Sequence, residues 1–167
     1  MRDAAIGSTA PLPAHAVSRL AAARWLALLV PAALLGGALG SQYLGGLHPC
    51  EMCYWQRWPH GVAIILAALG FLPGSRSRTF TLLAATAIAI SGLIGVYHAL
   101  VELRILQGFT TCTTTGNGSL AEIMATPLVR CDQVQFAFLG ISMAGWNAII
   151  SLGSVIIIGW LVWSSRR

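Results

Sequence analysis

Four cysteines stand at two places in the chain: Cys50 and Cys53 form a C-x-x-C, while Cys112 and Cys131 lie apart in a polar stretch. None falls inside a long apolar run, so packing does not account for them. Four thiols permit two bridges and three pairings. The chemistry open to them is disulfide exchange, structural cross-linking or metal ligation. The C-x-x-C sits in His48-Pro49-Cys50-Glu51-Met52-Cys53-Tyr54-Trp55-Gln56-Arg57. Pro49 suits a helix start, where its missing N–H is not needed. A thiol there faces unsatisfied backbone N–H groups and the positive end of the helix dipole, which predicts a lowered pKa. Cys50, Cys53 and Arg57 recur at i, i+3 and i+7 and share one helical face. A guanidinium above a thiolate suits an electron-accepting ring that develops negative oxygen.

Blander readings compete. The C-x-x-C is half of a structural zinc site if Cys112, Cys131 or His48 completes it, but the second pair lacks ligand-type spacing, and no metal is expected. A purely structural bridge is the other option, although a helix-start C-x-x-C is a reactive arrangement and a poor staple. Arg57 alone would read as a side chain snorkelling to a membrane surface. Two cysteines on its own face favour the redox reading.

The second pair is set in a longer segment. Thr113 to Gly118 is polar, and Ser119-x-x-Glu122 resembles a capping box. Leu120, Ile123, Met124 and Leu128 repeat at helical spacing, predicting a short amphipathic helix on a membrane surface that Pro127 limits to about two turns. A loop-closing disulfide is the plain reading of Cys112 and Cys131. Two dithiols on one side of a small protein also allow exchange through mixed disulfides. Asn117-Gly118-Ser119 matches a glycosylation sequon and is taken as chance.

The elements that position these residues are apolar. The 167-residue chain is 56% hydrophobic and 9% charged, with mean hydropathy +0.75, against about one-quarter charged in an average soluble domain. It lacks the polar residues to cover a water-exposed globule. Ten arginines and no lysine give a formal charge of +5, but they are scattered around the apolar runs rather than clustered with aromatics, which excludes nucleic acid as the partner. The runs extend over about 20–44, 54–72, 80–103 and 136–163, long enough for about four spans of roughly 20 residues. The predicted fold is an all-α integral membrane protein, a four-transmembrane-helix bundle. Residues 1–19 form a lead and 20–167 one domain, with outer loops at about 45–53 and 104–135. Pro31 predicts a kink in the first helix, and Gly36 and Gly40 a face for close helix packing. Ala38-Leu39-Gly40 resembles a signal cleavage site, but the first run exceeds the usual ~7–15-residue apolar region, so an uncleaved helix is expected.

Orientation follows from the arginines. Arg2, Arg19, Arg24, Arg76, Arg78, Arg166 and Arg167 lie at the termini and in the 73–79 turn, with Asp3 the sole acid there. By the positive-inside rule that side is cytoplasmic. Both cysteine-bearing loops then face an oxidising compartment. Trp25, Trp55, Trp58, Trp160 and Trp163 sit near predicted helix ends as an interfacial belt.

With these residues in view the chain resembles the DsbB family of bacterial disulfide-forming membrane proteins. The match runs from about residue 20 and is most specific at His48–Arg57, with Phe138-Leu139-Gly140-Ile141-Ser142-Met143 resembling the family's pattern at the opening of the fourth helix. The resemblance implies an inner-membrane protein, both termini cytoplasmic and redox loops periplasmic. It implies a quinone-dependent protein-dithiol oxidoreductase. The partner would be a DsbA-like thioredoxin-fold carrier, and the cofactor a quinone, ubiquinone favoured over menaquinone. Disulfides Cys50–Cys53 and Cys112–Cys131 are implied, with a transient Cys50–Cys131. Cys112 would take the carrier's attack and Cys131 resolve it, Cys53 would face the quinone, and Arg57 would hold a quinone oxygen. Phe136 stands where family members often carry Trp. Glu102 stands where some carry His, with His98 one turn deeper, so that this i, i+4 pair would lie near the quinone. His60 is a weaker candidate and His15 has no role. Vitamin K epoxide reductase-type proteins place their loop cysteines before the C-x-x-C, and the reversed order here argues against that assignment.

Overall fold

Apolar runs of this length become helices. The computed structural model describes residues 14–73, 76–108 and 129–166. Helix α1 spans Ala14–Tyr43, α2 Glu51–Leu69 and α3 Ser77–Glu102. A two-residue hairpin, β1 Ala137–Phe138 with β2 Ile141–Ser142, leads into α4, Met143–Ser164. Helices α1, α3 and α4 are long and apolar enough to cross a membrane. Helix α2, which carries Gln56, Arg57 and His60, is not among them but packs against both α1 and α3. Cys112 and the expected amphipathic loop helix lie outside the described residues.

Three boundaries differ from expectation. Helix α1 starts at Ala14 rather than Leu20 and runs on through Pro31. Helix α2 starts at Glu51, so Cys50 is its cap and Cys53 lies in its first turn. The Phe138–Met143 stretch does not open the last helix. Leu139 and Gly140 have φ of 52° and 78°, the paired positive values of a tight hairpin turn. Ala137 pairs with Ser142 and Phe138 with Ile141. Helix α4 then begins where Ser142 Oγ accepts from Gly145 N at 3.1 Å, an ordinary serine cap.

Small residues fill the interior. Ala23, Ala27, Ala63, Ala67, Ala84 and Ile88 form the main buried cluster, while Leu29, Ile65, Leu93, Ile156 and Trp160 face outward. This is the pattern for a lipid solvent, which is as apolar as leucine and leaves close approach as the drive for association. The close approach is not at Gly36 and Gly40, where an added Cβ would meet nothing within 4 Å. It lies on α3. A Cβ on Gly92 would come 3.0 Å from Leu152 and Ser151, and one on Gly95 would come 3.0 Å from the Ala144 carbonyl. Helix α3 thus seats directly on α4.

Arginines gather at one end. Arg19 donates to the Ser164 carbonyl at 3.2 Å and Arg78 to Ser165 Oγ at 3.0 Å, complementing the negative end of α4. Arg24 lies over the Phe71 ring, 4.1 Å from its centroid. The cysteines are at the opposite end.

Candidate active site

Helix α2 positions the first thiol pair through its own cap. Cys50 is extended at φ −75° and ψ 173°, and its sulfur accepts from Cys53 N at 3.4 Å. That geometry brings the two sulfurs to 2.9 Å. Cys50 is buried with Met52 and Val101, and Cys131 and Val129 pack on this cluster from the loop. Cys131 comes within hydrogen-bonding reach of the Cys50 sulfur. The expected lowering of the Cys50 pKa does not occur. The Cys131 contact, then the Cys53 contact, then burial push this thiol far above its ordinary range. Cys50 thus lies between two other thiols.

His98, projecting from α3, reaches the same sulfur with Nε2 at 3.6 Å. One turn on, Glu102 Oε1 lies 3.8 Å from that nitrogen, and Glu102 Oε2 is buried without a hydrogen-bond partner. Both residues of the expected i, i+4 pair thus stand beside the thiols.

A polar chain continues inward from His98. Gln56 Nε2 lies 2.8 Å from His98 Nδ1 and 3.2 Å from the Met52 carbonyl. Asn147 Nδ2 donates to Gln56 Oε1 at 2.7 Å and to the Ser91 carbonyl at 3.2 Å. Asn147 Oδ1 accepts from Ser151 at 3.1 Å and faces His60 Nε2 at 2.8 Å. Ser91 Oγ donates to the Gln56 carbonyl at 2.8 Å. Gln56, Ser91, Asn147 and Ser151 were not singled out in the sequence. Polar residues inside apolar helices, with Asn147 and Ser151 one turn apart, are the signal that marks them.

Arg57 engages the neighbouring helix. Its guanidinium turns toward α1, donating to Gln42 Oε1 and to the Ala38 carbonyl at 3.1 Å, and it stands 5.2 Å from the Tyr54 ring centroid. Its Nε is buried without a partner.

These groups line one cavity of about 290 Å³, which Cys50, Cys53, Arg57, His60, His98 and Glu102 share with apolar residues of α1 and α4. Trp146 and Phe138 form part of its rim, the indole donating to the Phe138 carbonyl at 3.0 Å. The hairpin therefore serves as a wall of the site. A second cavity of about 350 Å³ flanks Cys131, Arg104 and Arg130 on the loop side. Beside it Arg130 clamps Asp132 through two bonds of 2.9 and 2.6 Å, which holds that carboxyl below its usual range. Of the zinc partners weighed from sequence, none completes a cluster among the described residues. His98 does, since Cys50, Cys53 and His98 bring their ligand atoms within 4.8 Å of one another.

Comparison with known proteins is consistent with this arrangement. The family described as Disulfide bond formation protein DsbB matches residues 20–161. A protein named Disulfide bond formation protein B from Xanthomonas campestris pv. campestris (strain 8004) is 28% identical over 140 residues, 77% of this chain and 81% of the relative. One of the same name from Methylococcus capsulatus is 29% identical over 165 residues, 85% of this chain and 93% of the relative. No solved structure gives a significant match.

Proposed function

The chain belongs to the DsbB family of disulfide bond formation proteins, and on that footing we propose that it reoxidises a thioredoxin-fold dithiol carrier and delivers the electrons to a membrane quinone. The observation that carries this reading is the single cavity lined by Cys50, Cys53, Arg57, His98 and Glu102, with Cys131 packed against Cys50 at its edge. Helix α2 is the fourth span. It packs between α1 and α3, and its polar residues face the site rather than lipid. The arginine-rich end is cytoplasmic and the thiol end periplasmic.

The exchange steps balance. A carrier thiolate attacks Cys112 of a Cys112–Cys131 disulfide, and Cys131 leaves as thiolate. The carrier's second thiol attacks the mixed disulfide, releasing an oxidised carrier and the Cys112 thiol. The Cys131 thiolate then attacks Cys50 of the Cys50–Cys53 disulfide, and Cys53 leaves. Attack by Cys112 on Cys131 restores the loop disulfide and releases Cys50. The Cys50–Cys53 dithiol is reoxidised as its two electrons and two protons pass to the acceptor.

The cavity fits a quinone ring. It is largely apolar with a few polar groups, as small-molecule sites are, and three of the residues that line it, Arg57, His60 and Glu102, each carry a buried polar atom with no protein partner. A bound quinone supplies a two-electron, two-proton acceptor. Arg57 would hold one of its oxygens with a directed charged donor. Cys53, which lines the same cavity, is the thiol that would face it. His98 donates toward Cys50, and the apolar lining from α1 and α4 excludes water.

The test is anaerobic mixing of a reduced thioredoxin-fold carrier with the purified protein and a soluble quinone analogue. Quinol should form in step with carrier disulfide, one for one. Carrier oxidation without quinol, or quinol formation in a Cys50→Ser/Cys53→Ser variant, would overturn the reading.

A further inference from the structure

We infer that the hairpin before α4 is a membrane anchor, its tip Leu139 seated at the headgroup–acyl boundary of the leaflet at the thiol end. The turn residues point there. Leu139 and Gly140 have φ of 52° and 78°, and a two-residue turn of this kind selects Asn, Asp or Gly in water. Leucine offers no local hydrogen bond in the left-handed region and meets the full Cβ penalty of that backbone. Leu139 is also 77% exposed, so no protein neighbour offsets the cost. An apolar solvent does.

The redox cavity does not account for this side chain. Phe136, Phe138 and Met143 line it, whereas Leu139 and the exposed Val134 stand outside its lining. Nor is the hairpin needed to complete a span. Helix α4 has 22 residues, about 33 Å at a rise of 1.5 Å each, against a hydrocarbon core of about 30 Å. Even so, the chain from Gln133 to Ser165 contains no charged residue. It stays uncharged for a whole hairpin beyond what the crossing uses.

The hairpin is continuous with a surface that already faces lipid. An added Cβ on Gly145 would come 2.7 Å from the Ile141 methyl, and Trp146 Nε1 donates to the Phe138 carbonyl at 3.0 Å. Both strands are thus fixed to the first turn of α4, whose Ile149, Ile156 and Trp160 face outward. An indole with one polar edge suits the interface, and there the hairpin backbone keeps access to water while apolar side chains reach down. Held by α4 on one side and by lipid at its tip, the hairpin keeps the Phe138 wall of the redox cavity in place. This seating involves neither quinone nor thiol exchange, so its outcome is independent of the proposed reaction.

The experiment uses the full-length chain with its four cysteines changed to serine and a single cysteine introduced by Leu139→Cys. An environment-sensitive fluorophore is attached there, and the protein is placed in nanodiscs of phosphatidylcholine and phosphatidylglycerol. Quenching by a lipid with a nitroxide high on its acyl chain is compared with quenching by aqueous iodide. Ile156→Cys and Gln107→Cys give the lipid and water references. An interfacial apolar side chain reaches about 5–10 Å into the boundary, so nitroxide quenching at 139 should exceed that at 107 by about twofold or more. Iodide quenching should fall below that at 107 by a similar factor. Leu139→Asn in the chain with its native cysteines gives a second measurement that does not depend on the serine background. Asparagine tolerates the left-handed region, so it would raise the unfolding temperature of a tip standing in water. In nanodiscs we expect it to lower that temperature. Iodide quenching at 139 equal to that at 107 would overturn the inference, as would Leu139→Asn unfolding at or above the parent's temperature. Iodide quenching that a thioredoxin-fold carrier relieves would assign the tip to carrier docking and overturn it equally.

Discussion

His98 Nε2 stands 3.6 Å from the Cys50 sulfur because Gln56 occupies the other side of the ring, 2.8 Å from Nδ1. Two backbone carbonyls settle the proton positions. The Ser91 carbonyl can only accept, so the Asn147 atom facing it is the amide nitrogen. That nitrogen also donates to Gln56 Oε1, and the Gln56 amide group then donates to the Met52 carbonyl and to His98 Nδ1. With Nδ1 accepting, the proton of neutral His98 is on Nε2, aimed at the thiol.

This geometry predicts that His98→Phe slows the thiol pair specifically. When a disulfide opens toward Cys50, the new thiolate loses a hydrogen bond to a charged group worth about 1.5–3 kcal/mol. That corresponds to roughly ten- to a hundredfold in rate. Stopped-flow reoxidation of the Cys50–Cys53 dithiol by a quinone analogue measures it. Parent-like kinetics would remove His98 from the reacting set.

Gln56→Leu should harm both the fold and the site. It removes the donor to His98 Nδ1 and the acceptor for Asn147 while leaving both partners buried. An unsatisfied buried group costs about 1–3 kcal/mol. We expect a lower unfolding temperature in detergent together with a slower thiol step. A variant as stable as the parent would show that water replaces the amide.

Packing predictions separate two glycine pairs of similar appearance in the sequence. Gly95→Ala forces a Cβ to 3.0 Å from the Ala144 carbonyl and Asn147 Nδ2 and to 3.1 Å from the Ala148 nitrogen. Overpacking of this kind costs about 1–3 kcal/mol, offset by up to about 1 kcal/mol of helix propensity. Gly36→Ala meets nothing within 4 Å and keeps only the gain. Thermal unfolding should rank Gly36→Ala at or above the parent and Gly95→Ala below it. The reverse order would mean that α1 packs through Gly36.

That contrast also marks how far the sequence could be read. Apolar run length is written directly in the order of side chains, so α1, α3 and α4 were visible within a few residues at most ends. Which glycine meets a neighbour depends on helix rotation, and no single run encodes that. Cys50, Cys53 and Arg57 were legible because one helix places them by period alone. The Gln56–Asn147–Ser91 network joins α2, α4 and α3, so its members look like isolated polar residues in a linear reading. The hairpin before α4 was missed because Phe138-Leu139-Gly140-Ile141 continues the hydrophobicity of the helix it precedes. Only the positive φ at Leu139 and Gly140 turns the chain.

Arg57→Lys tests the planar fork. The guanidinium reaches Gln42 and the Ala38 carbonyl with separate nitrogens, and its Nε is buried without a partner. Lysine offers one point charge and cannot span these positions. Quinone affinity or turnover should fall by roughly ten- to a hundredfold, the equivalent of about 1.5–3 kcal/mol. Single-turnover oxidation of the carrier should be unchanged. Equal quinone kinetics would leave Arg57 as a clamp between α1 and α2 only.

Cys131→Ser separates entry of electrons from their exit. Cys131 packs against Cys50 and is the proposed leaving thiol of the loop disulfide and its donor to Cys50, so its loss should remove two steps at once. Cys112 no longer forms a loop disulfide for a carrier to attack, nor can the loop hand electrons to Cys50. Mixing the variant, its Cys112 activated as a mixed disulfide with a small aromatic thiol, with a single-cysteine carrier should accumulate a carrier adduct. That adduct should be visible on a non-reducing gel and absent in Cys112→Ser/Cys131→Ser. No quinol should form from a native carrier. The Cys50–Cys53 pair is untouched, so a small synthetic dithiol that enters the cavity should still drive quinol formation. Loss of both reactions would mean that the serine disturbs the Cys50 pocket itself. Normal carrier oxidation with no adduct would move the point of entry from Cys112 to Cys50.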